Sequence, residues 1–113
     1  MVFAYIAGPY SADHAYQIDR NIRQAKTVGE ELALMGYFPI IPHTNSAHMD
    51  GIQGTDFWLS GTLELMVKVA DIVVMLPMWR VSHGAYNEQL KALECNIPIF
   101  YWPKDMALLA ARL

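Results

Sequence analysis

The run Ile72-Val73-Val74-Met75-Leu76 carries no polar residue, and helical spacing brackets it on both sides. An unbroken run of branched and apolar residues this short reads as a strand buried on both faces, which requires a sheet covered by helices on both sides. The opening Val2-Phe3-Ala4-Tyr5-Ile6-Ala7 has the same character and stops at Gly8-Pro9. From Asp13 the pattern changes: Ile18, Ile22, Ala25, Val28, Leu32 and Met35 recur at intervals of three and four, predicting an amphipathic helix that ends at Gly36. Tyr37 to Ile41 reads as a strand demoted to the sheet margin by Pro39 and Pro42. Leu59, Leu63, Met66, Val67 and Ala70 resume helical spacing, Ser82 to Glu94 reads as a further helix, and Ile97 to Tyr101 as the last strand. Lys104 to Leu113 is expected to be a short packing helix. The segment His43 to Ser60, rich in Gly, Asn, Ser, Thr and Asp, predicts a long loop, either a substrate lid or a mobile insertion. Strand and helix alternate throughout, so the expected class is α/β: an open, mostly parallel, doubly wound sheet of about four to five strands with helices on both faces. Ligands in such sheets bind at the carboxyl ends of the strands, near the point where strand order reverses.

Length and charge narrow the function classes. A chain of 113 residues with 54% hydrophobic content builds one core, over residues 1–113, and leaves apolar surface for a homodimer or larger homo-oligomer. Net charge is -3 and no two Lys or Arg residues are adjacent, which argues against polymeric nucleic acid and anionic membranes as partners. The run Ile72–Leu76 falls far short of the ~20 residues of a membrane span, and no basic segment precedes the first strand. A lone Cys95 and four His at no metal-binding spacing predict a cytoplasmic protein without a structural metal.

The first strand-to-helix turn, Gly8-Pro9-Tyr10-Ser11, lacks both the dinucleotide fingerprint and the phosphate loop of nucleotide hydrolases. A short Gly turn before a helix still offers backbone N–H groups to one anion, with Ser11 assisting. Asp71 precedes its strand and therefore sits opposite the expected crevice, closing one element and opening the next. The segment Pro77 to Glu88 carries the strongest functional signal. With Ser82 as helix N-cap, Gly84 and Ala85 share a face with Glu88 one turn on, and two small residues leave open space above that carboxylate. Proximity to the positive helix end is expected to keep Glu88 ionised, as a nucleophile requires. On spacing alone an exposed surface Glu is the competing reading. Glu64 reads either as the second carboxylate of an acid/base pair or as the partner of Lys68, four residues on. His43 and His48 flank the polar loop, for substrate or metal or merely solvated or hydrogen-bonded, and Trp58 and Trp79 suit either base stacking or packing.

Three blocks together, Tyr5-Ile6-Ala7-Gly8-Pro9, Ala70-Asp71-Ile72-Val73-Val74 and Ser82-His83-Gly84-Ala85-Tyr86-Asn87-Glu88 followed by Ala92, resemble the nucleoside 2-deoxyribosyltransferase superfamily. The resemblance spans nearly the whole chain and is nearest to nucleoside 5'-monophosphate N-glycosidases and to small, often phage-borne members. It implies a flavodoxin/Rossmann-like sheet, Glu88 as the nucleophile that attacks the anomeric carbon, and Tyr5 as the residue orienting it. It implies that Ser82 meets the sugar's 5' end, where serine accompanies a 5'-phosphate and aspartate a free hydroxyl. Gly8, Pro9, Ser11 and Gly84 then complete a phosphate and sugar site, with Arg20 or Arg80 beside it and Trp79 upstream. Glu64, or an acid from the loop, assists departure of the base; His43 is added as a substrate contact from its place beside the polar loop.

The expected activity is therefore cleavage of the N-glycosidic bond of a (deoxy)nucleoside 5'-monophosphate, releasing free base and sugar phosphate with no metal or organic cofactor. The alternatives are base exchange between deoxynucleosides, and a nucleotide-binding module that retains the fold without turnover.

Overall fold

The computed structural model describes residues 1–112; Leu113, the last position of the expected terminal helix, lies outside the described residues. The elements follow the order β1 (Phe3–Ala7), α1 (Ala15–Met35), β2 (Phe38–Ile40), α2 (Pro42–Asn45), α3 (Thr55–Val69), β3 (Ile72–Met75), α4 (His83–Glu94), β4 (Ile99–Tyr101) and α5 (Met106–Arg112), with a 3-10 turn at Trp79–Val81. The four strands form one sheet of order β2-β1-β3-β4, and every neighbouring pair is parallel. The expected α/β class and the edge position of β2 are both present.

The two unbroken apolar runs became the two central strands because each must be covered twice. Ala4, Ile6, Ile72, Val74 and Leu76 pack with Ala25, Val28 and Leu32 of α1 and with Leu109 of α5. Tyr5, Ala7, Val73 and Met75 point the other way, onto Met66 of α3 and Ala85 and Ala92 of α4. Each fully buried Ile, Val, Leu or Met side chain contributes about 1.5–3 kcal/mol, so these two strands dominate the stability of the sheet. Tyr5 thus faces α4 by simple alternation along β1.

Local signals set the boundaries. Gly36 adopts φ 105°, and the amides after Ala33 close back on the helix, with Tyr37 N–H donating to the Leu32 carbonyl at 3.0 Å. Asp71 fills the structural role expected of it: its carboxylate accepts from Phe3 N–H at 2.8 Å while its own N–H donates to the Phe3 carbonyl at 2.9 Å. The expected loop from His43 to Ser60 is shorter. Pro42 at the first helical position starts α2, and α3 begins at Thr55, so only residues 46–54 are irregular.

Strand order reverses between β1 and β3, so their carboxyl ends open the crevice. Gly8 sits there, and a Cβ at that position would lie 2.6 Å from Leu76 Cδ1, 2.7 Å from Leu76 Cβ and 2.9 Å from Leu76 Cγ. Leu76 is fully buried and its Cβ moves only with the backbone. Gly8→Ala is therefore expected to cost about 1–3 kcal/mol through overpacking. Urea denaturation checks this, with Gly51→Ala, where no atom lies within 4 Å of the added methyl, as the neutral comparison.

Candidate active site

The turn after β1, the segment α2 to α3 and the first turns of α4 enclose a cavity of about 560 Å³. That is within the size range of small-molecule sites. Glu88 lies in its lining, in the second turn of α4, and is 7% exposed. Its carboxyl accepts a hydrogen bond from the Tyr5 hydroxyl, which reaches it from the adjacent central strand. Thr62 of α3 offers its carbonyl to the same hydroxyl at 3.3 Å.

Burial pushes the Glu88 pKa up to about 8, and the Tyr5 hydrogen bond only partly opposes this. The expectation that the helix terminus keeps Glu88 ionised is thereby corrected. The favourable field of a helix N-terminus fades within its first turn, whereas Glu88 is in the second and has lost nearly all its water. The Tyr5 hydroxyl is raised well above the ordinary tyrosine value, first by burial and then by the neighbouring carboxylate, so it remains a donor.

Ser82 caps α4 as expected, its Oγ accepting from Ala85 N–H at 3.3 Å. Gly84 lines the cavity two residues on, and an added Cβ there would stand 2.9 Å from Leu59 Cδ2. Gly8 and Ser11 complete the wall facing Ser82. His43 is buried, and its Nε2 contacts the carbonyls of Gly8 and Pro9, both at 3.1 Å. Both partners are acceptors, so Nε2 carries the proton. Burial lowers the His43 pKa and keeps the ring neutral, bracing the β1–α1 turn from beneath. Pro9 faces an adjoining cavity of about 510 Å³, which also contains Arg20.

Other expected residues lie elsewhere. Glu64 is on the exposed side of α3, outside the cavity, and forms no salt bridge with Lys68 among the described residues. Trp79 packs against Tyr101 and Tyr86, with ring centroids 5.7 and 6.3 Å away, and Arg80 lies over the Trp79 ring at 5.1 Å. Neither lines the cavity. Tyr10, Asp50 and Thr62 are among the lining residues not singled out from sequence. Tyr10 donates its hydroxyl proton to Asp50 Oδ1 at 2.6 Å and accepts from His48 N–H at 3.2 Å, so the irregular segment is fastened to the β1–α1 turn. His48 adds a contact of 3.2 Å to Asp19 on α1. The long-loop signal located this segment but carried no periodicity that would identify Asp50 within it.

Residues 2–101 match the model of a family described as a domain of unknown function (DUF4406). The chain belongs to this family. The match runs from before β1 through the end of β4 and so includes every residue of the Glu88 cavity. No curated protein matches the chain. Among the described residues of this DUF4406 chain no group of three or more His, Cys, Asp or Glu could hold a metal ion, and no helix is long and apolar enough to cross a membrane.

A raised carboxyl pKa has a defined sign in stability. The unfolded chain releases the Glu88 proton near pH 4.5, whereas the folded state retains it up to about pH 8, so stability falls as pH rises through that interval. Glu88→Gln cannot ionise and escapes this loss. The variant is expected to gain on the parent by an amount that is small at pH 4 and grows to a few kcal/mol by pH 8, at about 1.4 kcal/mol per pH unit. Thermal melts across that range check it.

Proposed function

We propose that this DUF4406 chain cleaves the N-glycosidic bond of a (deoxy)nucleoside 5'-monophosphate. The observation that carries the proposal is the Glu88 carboxyl, buried at the wall of an open cavity with a phenol and no cation as its side-chain partner. A carboxyl so desolvated works against folding, and such groups concentrate where chemistry needs them. The superfamily resemblance of the three sequence blocks supports the same role.

In the first step Glu88, deprotonated, attacks C1' of the sugar. A bond forms between its carboxylate oxygen and C1', the bond from C1' to the base nitrogen breaks, and the departing base takes the electron pair and a proton. In the second step water attacks C1', the bond to Glu88 breaks, and the water's proton leaves with the Glu88 carboxylate or to solvent. Tyr5 acts as a positioning residue, holding the carboxyl in one orientation and lowering its pKa. Asp50, the loop acid that shares the cavity with Glu88, takes the place expected of Glu64 and orients the departing base by accepting from its N–H, while the base takes its proton from solvent. The 5'-phosphate sits between Gly8, Ser11 and Ser82, where hydroxyl and backbone donors replace the repulsion an aspartate would create.

Chromatography of free base, after incubation with a panel of nucleosides and monophosphates, tests the proposal. Wild type is expected to release base from a monophosphate, and Glu88→Ala to lose about 10³-fold or more of that rate. A nucleotide bound tightly without release, equally by both proteins, would instead identify a binding module. Because the nucleophile must be ionised, kcat/KM should rise about tenfold per pH unit and level off above pH 8 or so. Tyr5→Phe removes the bond that lowers the Glu88 pKa, so its profile should shift to higher pH. Asp50→Asn weakens that acceptor and should slow release by about tenfold, while Glu64→Gln should behave as wild type.

A further inference from the structure

The second cavity, of about 510 Å³, adjoins the first: Ser11, Val81 and Ser82 line both. Its far wall is one face of α1. Gln17, Arg20, Asn21 and Gln24 stand at spacings of three and four, where a packed helix would present apolar residues. Asn21 is committed to the fold, with Nδ2 donating to the Tyr10 carbonyl and Oδ1 accepting from Gln17 Nε2, both at 3.0 Å. Arg20 makes no salt bridge among the described residues, and its guanidinium rests 6.0 Å from the centroid of the Tyr16 ring.

The two cavities have opposite chemistry. The Glu88 cavity contains both acids, Asp50 and Glu88, whereas the α1 cavity contains no carboxylate and one cation, Arg20, among amides and a serine pair. A guanidinium without a carboxylate partner and flanked by amide donors suits phosphoryl oxygens. The volume exceeds what a single 5'-phosphate held at the Ser11–Ser82 ridge would use, being comparable to a complete small-molecule site.

Resting on the glycosidase reading, we propose that the α1 cavity is a specificity subsite for a second phosphoryl group, so that the preferred substrate is a nucleoside 5'-diphosphate. The first phosphate crosses the ridge of Ser11 and Ser82. The second is held by Arg20 with the Gln17 and Gln24 amides. The sugar and base remain beside Glu88 and Asp50, so the charge pattern sets the orientation of the whole ligand.

Two measurements test the subsite. Calorimetric titration with inorganic phosphate and inorganic pyrophosphate, which needs no turnover, is expected to show pyrophosphate bound at least tenfold more tightly. Arg20→Ala should bring the two affinities within about twofold, whereas Arg23→Ala, an exposed α1 cation outside both cavities, should preserve the difference. Equal affinities in wild type, or a preference that survives Arg20→Ala, overturn the proposal. In the second measurement, kcat/KM for base release should favour the diphosphate over the matching monophosphate by at least tenfold, with that ratio lost in Arg20→Ala. Release at equal kcat/KM from both leaves the glycosidase reading standing and refutes the subsite. Pyrophosphate preference without release of base from any substrate supports the anion subsite and refutes the glycosidase reading.

Discussion

The contact between the Tyr5 hydroxyl and the Glu88 carboxyl joins the centre of the sheet to the second turn of α4, and the geometry of the cavity depends on it. Among the described residues no cation offsets the desolvation of that carboxyl, so the fold retains it neutral up to about pH 8. Such a group contributes less to stability than an apolar residue of similar size would. It persists beside a cavity because β1 and α4 hold it there: Tyr5 is fixed by its own full burial in a central strand, and α4 by its Ser82 cap and the packing of Ala85 and Ala92.

Around that pair the sheet topology arranges the remaining chemistry. Reversal of strand order between β1 and β3 separates the segments that follow them, and both cavities form in that gap. The turn after β1 serves each cavity from a different side. Gly8 and Ser11 face Glu88, while Pro9 and Ser11 face α1. Its position is doubly secured, by Leu76 leaving no room for a side chain at Gly8 and by neutral His43 bonding the two carbonyls beneath. A turn held this firmly presents its donors without further ordering on binding, which lowers the entropy lost when an anion arrives.

What could be read from the sequence was what depends on local pattern. The two unbroken apolar runs, Gly36 as a helix stop, Pro39 within the edge strand and Pro42 just after it, and Ser82 as a cap each act within a few residues, and each appears in the structure where expected. The site was legible where it rides on those elements, since Glu88, Gly84 and Ser82 share one helix start, whereas Tyr5 was named by the superfamily resemblance alone. The rest turns on angles and burial between distant segments. Successive helical residues differ by about 100°, so Glu64, two positions beyond the inward Thr62, points to the far side of α3. The ionisation of Glu88 is a contest between a helix terminus and desolvation, and only tertiary packing decides it. Asp50 lies in an irregular segment whose partner, Tyr10, is forty residues away, a pairing that no periodicity signals.

Covalent bonding of Glu88 to C1' during base release leaves its mark on the stereochemistry of the product. In water containing methanol, a β-nucleotide that reacts through two displacements must give the β-methyl glycoside, with configuration retained at C1'. Proton magnetic resonance of the freshly formed product distinguishes the anomers. Retention is the predicted result; the α-methyl glycoside would mean that solvent attacks C1' directly and that Glu88 is not the nucleophile.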